Sequence, residues 1–122
     1  MQVFVYFNLH RKLWSVKALD GERKGKVIGH FSHVVLRRAH FKVSEAGRQR
    51  VLREKRKNVH AGVKGTLVHT VENRQTPIEF AGTPVTYNPY KFNTFVNAIT
   101  HEPVHEAYHV AMDAVSRIVR FV

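Results

Sequence analysis

Residues His101 to His109, HEPVHEAYH, contain two overlapping copies of H-E-x-x-H. On a helix this spacing puts two imidazoles on one side, where they can hold zinc while the glutamate between them serves as a general base. A zinc hydrolase also needs a third protein ligand and an open position for water. Only 13 residues follow His109, and Asp113 is the sole acidic one among them. The spacing of Val104, Ala107, Tyr108, Ala111, Val115, Ile118 and Val119 predicts an amphipathic helix from about Pro103 to Val119, with Pro103 in its first turn. Relative to Val104, His105 then lies about 100° round the axis, His109 about 140° and Asp113 about 180°. His105, His109 and Asp113, with His101 beside them, are the ligands this segment can offer. They point away from the packed stripe, so the expectation is a solvated histidine-rich face and no cofactor.

A second constellation is Arg48 to His60, RQRVLREKRKNVH, with six basic side chains in ten residues. Guanidinium groups pair with phosphates through paired hydrogen bonds, and ammonium groups displace counterions from a polyanion. Arg48, Arg50, Arg53, Arg56 and Lys57 are the expected ligand contacts, with Arg37, Arg38 and His60 in support. Arg11 and Lys12 could extend the patch, and Tyr6, Trp14, Tyr87 and Tyr90 could stack on bases if exposed. His60 and His69 are the candidate catalytic residues for metal-independent cleavage of a phosphodiester, in which histidine moves protons and a neighbouring cation stabilises developing charge. His69-Thr70 is similar to half of the paired H-x-T signature of two-histidine phosphoesterases, but without its intervening residue, and there is no second copy. No phosphate-binding glycine loop, serine elbow or paired-carboxylate arrangement is visible.

The elements that must position these residues follow from patterning. Gln2 to Asn8 is β-branched and aromatic, a strand buried on both faces or nearly so. Trp14 to Leu19 alternates as a second strand, and the turn chemistry of DGERKGK leads into a returning strand, KVIGHFSHVVL, which Arg37 to Val43 extends after a bend. Ser44 to Asn58 is helical in composition, with Ser44 as N-cap, Val51, Leu52, Lys55 and Val59 on the packed side, and Arg50, Arg53, Arg56 and Lys57 outward. Ala61 to Val71 returns to strand alternation. IEF and VTYNPY are flanked by prolines, as edge strands are, and KFNTFVNAI is ambiguous between strand and helix. The predicted fold is α+β: a mainly antiparallel sheet of five or six strands, a basic helix between strands, and a C-terminal amphipathic helix.

At 122 residues, 43% hydrophobic and 24% charged, the chain has the size and composition of one folded domain. It has no cysteine, which excludes disulfides, thiolate metal sites and a cysteine nucleophile. No apolar run approaches the roughly 18 residues of a membrane span, and the start does not read as a signal peptide, so a soluble cytoplasmic protein is expected. The net charge of +11 is uneven. Residues 1 to 64 carry 16 basic and 4 acidic side chains, whereas residues 65 to 122 carry 4 and 5. One surface must be strongly positive, and polyanions are its natural partners.

NLHRKLWSVKALDGERKGKVIGH, AGRQRVLREKRKNVHAGVKGTL and VTYNPYKFNTFV together resemble a group of small, largely uncharacterised bacteriophage proteins. The resemblance covers most of the chain and transfers no active site. It implies the cytoplasm of an infected bacterium as the setting. Small phage proteins there commonly bind nucleic acid, inhibit a host protein or disarm a defence system. Charge and setting together lead to the expectation of a binder of nucleic acid or nucleotide, one form of which would sequester a nucleotide alarm signal. The alternatives are a histidine-dependent phosphodiesterase or ribonuclease and an inhibitor of an acidic host protein. A homo-oligomer is compatible with the sequence.

Overall fold

The protein is described by a computed structural model covering residues 1–55, 59–77 and 80–122. In chain order the elements are β1 (Gln2–Asn8), β2 (Leu13–Ala18), β3 (Val27–Phe31), β4 (His33–Val43), α1 (Glu45–Glu54), β5 (Ala61–Val71), β6 (Thr83–Thr86), β7 (Val96–Asn97), β8 (Glu106–Asp113) and β9 (Ile118–Phe121). The strands form one antiparallel sheet in the order β3-β2-β1-β5-β4-β8-β9-β6-β7. Only Ser32 separates β3 from β4, yet three strands lie between them in that order. The sheet must therefore curl until its β3 edge returns to the start of β4. Ser32 holds this corner: its amide and hydroxyl both donate to the Val71 carbonyl, and its own carbonyl accepts from the Ala114 amide.

Curling encloses one face. Val3 and Val5 of β1, Val16 of β2, Val34 and Leu36 of β4, and Val110 and Met112 of β8 are fully buried in a core that Phe41, Val63, Val85, Phe95 and Val119 complete. Two bulges keep the alternation in phase with this interior. Val68 is extra on β5, and Arg38, with φ of 52°, is extra on β4. Because of the second bulge the inward positions change from Val34 and Leu36 to Ala39 and Phe41. Gly65 lies opposite that bulge; a Cβ there would sit 3.1 Å from the Arg37 carbonyl oxygen.

Most of the first half of the chain follows its pattern, but the returning strand expected over KVIGHFSHVVL is broken at Ser32 into β3 and β4. β1 and β5 span the expected residues, and β2 and β3 form the expected hairpin. Ser44 caps α1 by accepting from the Gly47 amide at 3.2 Å. The helix stops at Glu54, where Lys55 takes a left-handed C-cap, so Val59 is not on its packed side and stands exposed. VTYNPY contributes only its start to β6, and the path of KFNTFVNAI is the two-residue β7.

The expected α+β class is corrected to a mostly-sheet fold with α1 as the one helix among the described residues, and the C-terminal helix is not formed. Residues 106–113 and 118–121 are strands β8 and β9, joined by a turn in which Asp113 accepts from the Ser116 amide and hydroxyl. β8 pairs with β4 on one side and β9 on the other, so its backbone is satisfied without a helix. The helical stripe had placed Tyr108, Val115 and Ile118 inside, but these are 61%, 44% and 36% exposed, while Val110 and Met112, outside that stripe, are fully buried. A two-residue alternation interrupted near residues 107 and 108 mimicked a helical period. Pro103 bridges Val96 rather than opening a helix.

Candidate nucleic-acid interface

Residues directly opposed across the strands share a face. One row on the outer face runs Val27, Lys17, Phe4, Lys64, His40 and Glu106, crossing β3, β2, β1, β5, β4 and β8. The adjacent row holds His30, Ser15 and Tyr6, and beyond β1 it continues to Gly62 and Lys42. Three lysines thus surround two aromatic rings. Phe4 and Tyr6 lie 6.1 Å apart with planes tilted by 32°. Both are half-buried, and neither belongs to the enclosed core. Gly62 makes room for the Phe4 ring, since a Cβ there would come within 2.5 Å of Phe4 Cζ.

Above these rings is an open groove of about 620 Å³, walled by Lys17, Val27, Lys42, Ser44 and His60 among others. A neighbouring groove of about 770 Å³ shares Tyr6, Val59 and His60 and reaches Leu9, His10 and Pro89. His30 shares a 2.8 Å hydrogen bond with the buried Ser15 hydroxyl. Desolvation, and then the nearby Arg11 charge, hold its pKa below the ordinary histidine value. Among the described residues, Lys17, Lys42, Lys64, Arg37 and Arg38 make no ion pair; those formed are His40–Glu106, Arg48–Glu45 and Arg53–Glu54. These five cations are therefore unpaired among the described residues, while Glu106, at the β8 end of the first row, lies 3.7 Å from His40.

The expected contact residues separate in space. Arg37 and Arg38 are exposed on the β4 bulge and line a small pocket of about 280 Å³ with Thr66 and Tyr108. Arg48 is structural: its Nε donates to the Pro89 carbonyl at 3.1 Å, its guanidinium pairs with Glu45, and only 15% of its side chain is exposed. Arg50 and Arg53 are exposed on α1, and Arg56 and Lys57 lie outside the described residues. His60 lines both large grooves, and its ring lies 5.5 Å from that of Tyr87, tilted by 56°. His60 immediately precedes β5 and His69 lies within it, nine residues on, about 30 Å along an extended chain, so the two histidines cannot serve one phosphodiester together.

Of the expected stacking aromatics, Tyr6 faces the groove and Tyr90 is exposed, but Trp14 is buried edge-on against Phe7. Tyr87 packs on Phe95. Burial raises its phenol pKa, with the Arg48 charge opposing. Sequence reasoning missed Phe4, Lys17, Lys42 and Lys64. Their signal was the two-residue alternation of β1, β2, β4 and β5, which gathers residues from four distant segments. As for H-E-x-x-H, His105 precedes β8 and His109 lies within it, so their Cα atoms are about 13 Å apart on an extended chain, too far to share an ion. Asp113 is buried opposite His33, and no group of three metal-ligating side chains occurs among the described residues.

The sequence matches the family profile of the Mycobacterium phage L5 gene 82 protein over residues 1–120. The chain belongs to that family. The Gene 82 protein of Mycobacterium phage L5 is 47% identical over 109 residues, covering 84% of this chain and 82% of that one. No solved structure matches. The expected resemblance to a phage protein family is thereby established for the gene 82 family, and among the described residues no helix is long and apolar enough to cross a membrane.

Proposed function

We propose that this phage protein binds a phosphate-rich ligand, nucleic acid or nucleotide, on the outer face of its sheet. The observation that carries the reading is the cluster of Lys17, Lys42 and Lys64 around the half-buried Phe4 and Tyr6, with no carboxylate paired to the lysines among the described residues. Ammonium groups without acidic partners displace counterions from a polyanion, and aromatic faces outside the core are available to bases. Arg37 and Arg38 extend the positive face along β4, and exposed Arg50 and Arg53 add to the field from α1. The expected helix-centred site thus moves to the sheet, with the helix contributing at longer range. In an infected cell such a surface could withdraw a nucleotide signal from a host defence.

The test is to incubate the purified protein with single-stranded RNA, duplex DNA and cyclic dinucleotides, with and without EDTA, and to separate free, bound and altered species by ion exchange. Recovery of an intact ligand, and its loss when Lys42 is replaced by glutamate, supports binding. New products would instead establish cleavage. Passage of every ligand untouched would overturn the reading and leave an acidic host protein as the partner to seek.

A further inference from the structure

The grooves and the Arg38 bulge belong to one continuous face, and its dimensions select among phosphate-bearing ligands. Lys17 on β2 and Arg37 on β4 are three strand spacings apart, about 14 Å at about 4.8 Å per step. The row of Phe4 and Lys64 is also offset by two residues from the row of Thr66 and Arg37, about 7 Å along the strands. No single phosphate touches both ends. Successive phosphates of one chain can.

The aromatic residues sit where such a chain would need them. At one end the tip of the Phe4 ring reaches over Gly62, with Tyr6 beside it. At the other end Tyr108, 61% exposed, stands opposite Arg38, between the pairs Arg37–His109 and Ala39–Ala107. Arg38 holds a left-handed φ of 52°, which a non-glycine residue adopts at a cost. The bulge sets two guanidinium groups in succession beside Tyr108 and Thr66. In a duplex the base faces are already stacked and hidden, so rings placed on a basic surface address unpaired bases.

Building on the phosphate-binding reading, we propose that the ligand is a single-stranded oligonucleotide that crosses β2, β1, β5 and β4. One base stacks at Phe4 and Tyr6, phosphates lie along Lys17, Lys42 and Lys64, and the far end is held by Arg37, Arg38 and Tyr108. The occupied length is about four nucleotides or more, the short end of what comparable stacking surfaces cover.

Fluorescence anisotropy with labelled single-stranded DNA and RNA octamers, a duplex of the same sequence and a dinucleotide tests this. Either octamer should bind at least tenfold more tightly than the duplex and the dinucleotide. Tyr6→Leu should weaken octamer binding about tenfold while leaving its salt dependence unchanged, and Tyr108→Ala, on an exposed side chain, repeats the test without touching the core. Arg37→Gln with Arg38→Gln should weaken the octamer far more than the dinucleotide. Equal affinity for duplex and single strand, or tyrosine variants within twofold of the parent, would overturn the single-strand inference. If Lys17→Ala, Lys42→Ala and Lys64→Ala together still weakened binding in that case, the phosphate reading would survive. Absence of binding to every polyanion would overturn both.

Discussion

Replacing Gly62 by alanine probes the floor of the groove directly. A Cβ at this position would lie 2.5 Å from Phe4 Cζ and 2.5 Å from the Val5 carbonyl oxygen. The ring can tilt, but the carbonyl belongs to the β1 backbone and cannot retreat without disturbing its ladder. Overpacking of this kind costs about 1–3 kcal/mol. The smaller conformational freedom of alanine in the unfolded chain returns about 0.4–1 kcal/mol, leaving a net loss of about 1–2 kcal/mol. For a domain of this size that lowers Tm by about 4–8 °C. Urea and thermal unfolding followed by circular dichroism would measure it. Gly65→Ala is the graded control: its nearest contacts would be 3.1 and 3.3 Å, so it should cost less than Gly62→Ala. Phe4→Leu in the Gly62→Ala background removes the ring from the clash but not the carbonyl, and the double-mutant cycle should show partial rescue of about 0.5 kcal/mol or more. A Gly62→Ala protein as stable as the parent would refute the account of how Phe4 is seated.

Three further outcomes are expected. Lysine-to-alanine changes at 17, 42 and 64 should flatten the slope of log affinity against log salt by about 2 for a single-stranded ligand, at about 0.7 per phosphate contact; a larger effect from Arg50→Ala with Arg53→Ala would move the site to α1. His33 is buried against Phe80 and opposite Asp113, and desolvation first, with Asp113 opposing and His69 and Arg74 adding, lowers its pKa below 6.5. The unfolded chain therefore binds the proton more readily, so stability should hold above about pH 6.5 and fall below it towards the lowered value. His33→Gln should reduce that acid-side slope in urea titrations at several pH values, and an unchanged slope would contradict the assignment. Arg48→Ala should cost about 1–2 kcal/mol through loss of its bonds to Pro89 and Glu45; a binding defect as large as that of the lysine variants would return Arg48 to the interface.

Much of the first half was legible because each local signal agreed with its neighbours. The β-branched and aromatic run of β1, the turn residues before β3, the Ser44 cap and the alternation of β5 each specify one conformation, and the formed elements match. The uneven charge was likewise legible, since it depends on composition alone. The dense basic run drew attention to the helix, yet Arg48 is spent on tying α1 to the Pro89 loop. The lysines around Phe4 and Tyr6 were too dispersed along the chain to stand out.

The sequence by itself determined a folded, cysteine-free, strongly basic chain, its early strands and its capped helix, and membership of a phage family. Tertiary structure decided the identity of the C-terminal segment and the composition of the candidate site. Residues 106–113 carry an interrupted alternation that a helix and a bulged strand both satisfy. The open side of β4 and the pairing of β9 settle the choice, because they supply backbone partners and bury Val110 and Met112. The site is likewise a property of register: Lys17, Phe4, Lys64 and Lys42 become neighbours only when β2, β1, β5 and β4 lie side by side, and such pairing is set by long-range contacts that no local window of sequence contains.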